Sequence, residues 1–411
     1  MPQSPADSAQ ANTNGHLSED KHLKLAIVRQ RYNPFGGAER FVERALAALV
    51  SQGAQVTLIA RDWEGGADTG FERIICRTPF HALFSGRTGR DRAFARCVQT
   101  TIAEHDFDLV QTHERIPGCS IFRAGDGVHA AWLARRAPFQ APLARYAQQL
   151  SPYHRYVLAA ERAMFAHPAL RAVICNSRMV AAEIEAFYGL DRNKLHVIYN
   201  GVDTEDYHPR LATIHRQATR RRLGIAENAP LMLYVGSGYE RKGVPQLLSA
   251  FSTLKRSDAQ LVVIGADRKL VATKAAATRL GLEKRTHFLG PVKDVKPYYA
   301  AADGFVLPTI YDPCPNAALE AMACGLPMVT SEGCGAKEWI EEGANGWVVD
   351  LSKTGTLAAA LENLCAAAGN SAMRDRARTA VEHLDLSRMS ERLLALYQAL
   401  LRIPNSPHHR T

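Results

Sequence analysis

Leu23-Lys24-Leu25-Ala26-Ile27-Val28 reads as a strand. A loop with Pro34, Gly36 and Gly37 follows, and then Glu39–Ser51, where Phe41, Ala45, Leu46 and Leu49 recur at helical spacing. Gln55-Val56-Thr57-Leu58-Ile59-Ala60 is a second strand. Strand, glycine loop, helix and strand make a parallel crossover unit. The alternation continues outward. Leu109–Thr112 and Ala172–Cys175 read as strands, and Lys194–Tyr199, leading into Asn200-Gly201-Val202-Asp203, closes a first half. A second half restarts at Leu231-Met232-Leu233-Tyr234-Val235. It runs on through strands at Gln260–Ile264, Thr286–Leu289, Gly304–Leu307, Met328–Thr330 and Gly346–Val349. Helices fall at Val244–Lys255, Lys269–Leu280, Val295–Ala301 and Ala317–Ala323.

Two such runs predict an α/β protein with two doubly wound parallel sheets and a cleft between them. At 411 residues the chain is long enough for two large domains. We place a polar tail at 1–21, expected to be disordered, and an N-terminal domain at 22–205. A C-terminal domain follows at 206–385, and an amphipathic helix at 386–403 is expected to pack back on the first domain. Hydrophobic residues make up 46% and charged residues 22%, which excludes a mostly disordered chain and a fibre. No apolar run approaches the roughly 18 residues of a membrane span. The tail has no apolar core of a secretory signal. Eight cysteines without a CxxC pair predict reduced thiols in a cytoplasmic protein rather than a disulfide or zinc framework. The surplus of 50 Lys and Arg over 41 Asp and Glu, a net charge of +9, points to anionic partners or to solubility alone.

The stretch Ile310-Tyr311-Asp312-Pro313-Cys314-Pro315-Asn316-Ala317-Ala318-Leu319-Glu320-Ala321-Met322-Ala323-Cys324-Gly325-Leu326-Pro327 carries most of the chemistry. A strand ends, a proline-rich turn follows, and a helix starts with Asn316 as its N-cap. Its first amides favour an anion. Asp312 and Glu320 are suited to bidentate bonds with vicinal sugar hydroxyls. Two solvated acids flanking a capped helix is the plainer reading.

A second stretch, Val235-Gly236-Ser237-Gly238-Tyr239-Glu240-Arg241-Lys242-Gly243, turns the chain on glycines and ends in two cations. These fit a diphosphate, or a solvated pair. It is not GxGxxG, so a dinucleotide site fits poorly. Gly36 and Gly37, in the loop of the first crossover, allow close approach of a phosphate or sugar, or form an ordinary turn. His113-Glu114-Arg115 and Asp126-Gly127-Val128-His129 place ionisable groups after strands, where one of them is able to orient or deprotonate an acceptor hydroxyl. Asp106-Phe107-Asp108 precedes a strand, at the wrong end of a sheet for ligands, and reads as a turn rather than a metal site. Trp132–Arg171 interleaves six arginines with aromatic rings and holds one acid, Glu161. That composition suits an anionic membrane surface, RNA, or a plain solvated face.

The Asp312–Glu320 stretch resembles the Glu-x7-Glu motif of the family 4 retaining glycosyltransferases, with Asp where the family more often has Glu. Arg241-Lys242-Gly243 and Gly36-Gly37 resemble that family's phosphate and glycine-loop elements. The resemblance runs from about Leu23 to about Leu401. It implies the GT-B fold and a metal-independent, cofactor-free hexosyltransferase using a nucleotide sugar. Donor ligands implied are Gly36, Gly37, Gly236, Arg241, Lys242, Val292, Asp312, Asn316, Ala317, Ala318 and Glu320, with Glu320 on the ribose and Asp312 on the donor sugar.

The Glu114 and Asp126 segments resemble the branch that glucosylates a heptose of the lipopolysaccharide core. That implies UDP-glucose as donor and a lipopolysaccharide-core or related glycan as acceptor. Asp126 is expected at the reaction centre with Asp312, Arg241 and Lys242, and Glu114, Arg115 and His129 on the acceptor side. The resemblance also implies docking of Trp132–Arg171 on the inner membrane and no nucleic-acid partner. Other nucleotide sugars (GDP-mannose, UDP-N-acetylglucosamine), a UDP-sugar epimerase on the same fold, and a non-enzymatic basic binding protein are the competing expectations.

Overall fold

The structure is a computed structural model. It describes residues 23–32, 50, 54–63, 71–80 and 86–402. The tail 1–21, the loop glycines Gly36 and Gly37 and all but Val50 of the helix expected after them lie outside the described residues.

Thirteen described strands form two all-parallel sheets. In the first half these are β1 (Lys24–Tyr32), β2 (Gln55–Trp63), β3 (Glu72–Ile75), β4 (Leu109–Thr112), β5 (Ile121–Ala124), β6 (Ala172–Cys175) and β7 (Leu195–Val197). The second half contributes β8 (Leu231–Val235), β9 (Gln260–Ile264), β10 (Thr286–Gly290), β11 (Gly304–Leu307), β12 (Met328–Ser331) and β13 (Gly346–Val349). The sheet orders are β3-β2-β1-β4-β5-β6-β7 and β10-β9-β8-β11-β12-β13. In each, the chain starts in the middle, winds to one edge and then crosses back. The switch points lie between β1 and β4 and between β8 and β11, where adjacent strands leave a crevice at their carboxyl ends. The register pairs Leu25 with Val56 and with Leu109, and Phe305 with Leu233 and Met328. Buried on both faces, these strands are continuous Val, Ile and Leu runs.

Leu25, Ile27, Val56, Leu58, Leu109 and Ile121 form one apolar layer of the first sheet, and the layer is completed by a helix that follows the second sheet. Helix Leu386–Arg402 lays Met389, Leu393, Leu396, Tyr397 and Leu400 onto it. The Tyr397 hydroxyl donates to Gln111 at 2.7 Å. Val202 donates back to Leu384 at 2.9 Å, so the two connections between the halves run side by side. The stretch after Glu205, polar and basic in sequence, is helical at Leu211–Leu223. Its Arg220 is buried against Asp303 and the carbonyls of Ala301, Ala226 and Ala229.

Two expectations are corrected. Cys76, at the end of β3, is disulfide-bonded to Cys97 of helix Gly86–Glu104, while the other six cysteines are buried thiols. The helix packs Phe94 and Val98 into the apolar cluster that holds Cys76, and this brings the two together without any spacing signal. The N-cap of helix Asn316–Ala323 is Pro315, not Asn316. The Asn316 side-chain oxygen instead accepts a 2.9 Å bond from Asn200 of the first half.

Candidate active site

The β8–helix connection builds a cationic ledge. Gly236 leaves room for the lysine stem: a methyl there would sit 2.8 Å from Lys242 Cδ. Gly243 has φ +76°, and a Cβ on it would lie 1.8 Å from the Pro308 carbonyl oxygen. Only glycine allows that approach. The same connection is stapled to the end of β11, where Ile310 donates to the Arg241 carbonyl at 2.8 Å and the Thr309 hydroxyl donates to it at 3.1 Å. The Arg241 guanidinium in turn donates to the Tyr311 carbonyl at 2.7 Å. Lys242 Nζ stands 3.1 Å from Asp312 Oδ2 and Arg241 Nη1 stands 3.6 Å from it. The structure therefore brings together one acid and two cations that are far apart in the chain, Asp312 with Arg241 and Lys242.

Glu320 lies within helix Asn316–Ala323, which follows the Asp312 turn. Buried Tyr299 donates its hydroxyl to Glu320 Oε2 at 2.8 Å. Burial first, and then the Glu320 charge, push the Tyr299 phenol well above its ordinary range, so it stays a donor. Asn316 and Ala317 are half-buried in the first turn of the helix, and Ala318 is buried. Val292, after β10, packs at the edge of the second core.

Across the cleft, Asp126 is exposed in the turn after β5. It lines a small cavity of about 80 Å³ together with Gln30, Glu114, Arg115, Tyr153 and Tyr156. Glu114 accepts from the Gln30 amide at 3.1 Å. Its carboxyl is raised, chiefly by burial. Arg115 is held by Glu161 at 2.8 Å and donates to the Gly127 carbonyl at 3.1 Å, so it supports the Asp126 turn from behind. Glu161 is fully buried, and it also accepts from the His129 amide at 2.7 Å and the Tyr188 hydroxyl at 2.7 Å. His129 Nε2 lies 3.0 Å from His154 Nδ1.

Burial, reinforced by the Arg115 charge, lowers the His129 imidazole to about 4. An unfolded histidine titrates near 6.5. As pH falls, the unfolded state therefore takes up the proton first, and stability present above about 6.5 is lost toward 4. Between pH 7 and 5 the first half is expected to lose about 1–2 kcal/mol through this group. Denaturant titrations of wild type and His129→Asn at both pH values check this, the variant being flatter.

The halves touch at several points beside the site. Tyr311, next to Asp312, donates its hydroxyl to Glu183 at 2.7 Å and accepts from the Val128 amide at 2.8 Å. Glu338 accepts from the Met179 amide at 2.8 Å and the Tyr199 hydroxyl at 2.7 Å. Between the halves lies a cavity of about 660 Å³. Trp132, Arg136 and Phe139 form one wall, and Gly238, Arg241 and Ile310 lie opposite. Sequence reasoning named none of Tyr311, Glu183, Glu338 or Tyr299 as functional. Glu161 did carry a signal, as the one acid in a basic segment.

Asp108 accepts from the Lys24 amide at 2.9 Å, at the amino end of β4 and away from the cleft. In the basic–aromatic segment the rings are largely met by the protein's own cations. Arg87 lies 4.4 Å from the Tyr153 ring centroid and Arg136 lies 5.5 Å from that of Trp132. Helix Pro142–Leu150 differs: it buries no residue, and it exposes Leu143 (80%), Tyr146 (61%) and Leu150 (56%) along one stripe. Among the described residues no helix is long and apolar enough to cross a membrane.

Comparison with known proteins matches this geometry. The profile of Glycosyltransferase Family 4 matches residues 35–206, and that of Glycosyl transferases group 1 matches 215–382, one for each half. The chain belongs to the family 4 glycosyltransferases. This glycosyltransferase is 27% identical over 328 residues to the lipopolysaccharide glucosyltransferase WaaG of Escherichia coli (strain K12), covering 79% of this chain and 84% of that one. A crystal structure of WaaG superposes with a TM-score of 0.75 at 25% identity over 90% of this chain and 99% of the other. Anabaena HepE in complex with UDP-glucose shares the fold, with a TM-score of 0.66 at 19% identity, over 92% of this chain and all of that one. The glycosyltransferase thus has the GT-B architecture of two Rossmann-like domains, and its acid–cation group lies at the carboxyl ends of the second sheet.

Proposed function

We propose that this glycosyltransferase is a retaining hexosyltransferase that moves glucose from UDP-glucose to a lipopolysaccharide-core or related glycan acceptor. The observation that carries the reading is the convergence of Arg241, Lys242 and Asp312 at the carboxyl end of β8 and β11. Two cations on a fixed ledge suit a group that gains negative charge as it leaves, and charge development is where preorganised electrostatics act most strongly. The similarity to WaaG supports the choice of glucose and of the acceptor class.

In the reaction the bond from the sugar's anomeric carbon to the β-phosphate oxygen breaks. The acceptor oxygen bonds to the same face, and its proton passes to the departing phosphate. Arg241 and Lys242 take up the charge on the diphosphate. Glu320, oriented by Tyr299, holds the ribose; Asp312 orients the sugar; Asp126 faces the acceptor. No side chain is assigned as a covalent nucleophile, and an adduct trapped on Asp126 or Asp312 would overturn front-face transfer.

A thermal-shift screen against UDP-glucose, UDP-galactose, UDP-N-acetylglucosamine and GDP-mannose tests the donor, with stabilisation by UDP-glucose alone as the expected result. Glu320→Ala is expected to weaken UDP binding about 10- to 100-fold by calorimetry, the loss of one or two hydrogen bonds to a charged group. Unchanged affinity would remove Glu320 from the ribose site.

The exposed stripe Leu143, Tyr146 and Leu150 with Arg145 supports docking on an anionic inner-membrane surface from the cytoplasmic side. Sedimentation with phosphatidylglycerol vesicles is expected for the wild type, and to be lost in Leu143→Glu/Leu150→Glu.

A further inference from the structure

We infer that Tyr311 is a positioning residue that ties the acceptor-side turn Gly125–Val128 to the donor-side group of Arg241, Lys242 and Asp312. The inference rests on the proposed transferase reading for its catalytic consequence, but the tie itself is geometric.

Tyr311 belongs by sequence to the second half and by packing to the first. Its ring lies in the apolar cluster of Phe122, Val128, Met164 and Val180, and among the described residues it is the one member of that cluster from beyond β7. Both partners of its hydroxyl, Val128 and Glu183, come from the first half. Glu183 is itself fixed by Arg135 at 3.0 Å. The Tyr311 backbone faces the other way, with its carbonyl taking the Arg241 guanidinium. The next residue is Asp312.

The contact is close as well as polar. Gly127 has φ +70°, and a Cβ on it would lie 2.2 Å from the Tyr311 hydroxyl oxygen. That glycine follows Asp126 directly. A short path therefore runs from Asp126 through Gly127 and Val128, across one hydrogen bond, to Tyr311, Asp312 and the cations. Because each step is a covalent neighbour or a short bond, it fixes Asp126 relative to the diphosphate ligands. Near-attack geometry tolerates little displacement, so such a tie acts on turnover rather than on donor affinity.

Tyr311→Phe keeps the ring and removes both hydrogen bonds. Two measurements on the full-length protein are needed. Hydrogen exchange without ligand reads the tie, and the Val128 amide is expected to exchange at least about tenfold faster in the variant. Steady-state assays use UDP-glucose with a deacylated lipopolysaccharide-core oligosaccharide. The expected results are an about tenfold lower kcat for transfer, a KM for UDP-glucose within about twofold of wild type, and a larger share of UDP released by hydrolysis. A merely structural role lowers transfer and hydrolysis in the same proportion.

Gly127→Ala should act through the same contact, so its effect should be smaller in the Tyr311→Phe background than in wild type. If Tyr311→Phe fails to fold, Glu183→Ala breaks the hydroxyl's other partner and must raise the hydrolysed share. Unchanged Val128 exchange, or an unchanged ratio of hydrolysis to transfer, overturns the inference. A wild-type protein that ignores UDP-glucose overturns the functional reading instead, and the exchange result then decides the tie alone.

Discussion

Lys242→Ala is expected to lower kcat/KM for UDP-glucose by about 10²–10³-fold, the range found when one preorganised charge-stabilising group is removed. Lys242 is mostly enclosed, with 14% of its side chain exposed, and its ammonium is 3.1 Å from Asp312. Removing it deprives the departing diphosphate of a cation and leaves the Asp312 carboxylate facing the same space with Arg241 3.6 Å away. The two effects add, because an acid less fully neutralised repels the phosphate. UDP affinity should fall by about tenfold and the rest of the loss should appear in kcat. Lys242→Arg should not restore activity. The lysine stem runs so close to Gly236 that a methyl there would sit 2.8 Å from Cδ, which leaves no width for a planar fork. Measured UDP release within tenfold of wild type would remove Lys242 from the leaving-group role.

Glu161→Ala is expected to destabilise the first half by about 3–5 kcal/mol, the usual result of breaking a buried ion pair from one side. Glu161 is 0% exposed. It meets Arg115 at 2.8 Å, the His129 amide at 2.7 Å, the Ala130 amide at 3.4 Å and the Tyr188 hydroxyl at 2.7 Å. The variant strands the Arg115 cation and uncaps helix His129–Arg136, whose N-cap residue Val128 provides no side-chain bond of its own. Thermal unfolding should drop by roughly 10 °C, taking about 2–4 °C per kcal/mol. Arg115→Met/Glu161→Leu removes both charges and should lose much less. A double variant as unstable as Glu161→Ala would show that the amide and hydroxyl bonds, rather than the ion pair, carry the energy.

The strands of the second sheet were legible because they are buried on both faces. Leu231–Val235, Gln260–Ile264 and Gly304–Leu307 are apolar runs bounded by glycine, proline or polar residues, and the structure forms them over the same residues. Helix Gly86–Glu104 was not legible. It buries only Phe94, Val98 and Thr101 among nineteen residues, so it shows no apolar stripe. Of the candidate site, the groups named from contiguous motifs came together: Arg241, Lys242 and Asp312 on one side, Glu114 and Asp126 on the other. What stayed hidden was the docking between halves. The Tyr311–Glu183 bond spans 128 positions and the Glu338–Met179 bond spans 159, and no local period records either. Asn316 was misread as a cap for the same reason. Its side chain has the right chemistry for capping, but Asn200, 116 positions earlier, takes the oxygen.

The return of helix Leu386–Arg402 to the first sheet sets an order of events during synthesis. The layer of Leu25, Ile27, Leu58 and Leu109 packs against Met389, Leu393, Leu396, Tyr397 and Leu400, so this part of its cover is missing until that helix has been made. The strands of the second sheet are complete by Val349, and their half can collapse first on the emerging chain. Until then the first half of the nascent protein lacks that share of its apolar packing. Truncation within helix Leu386–Arg402 leaves a species prone to aggregate and easily cleaved, although every described strand is already made.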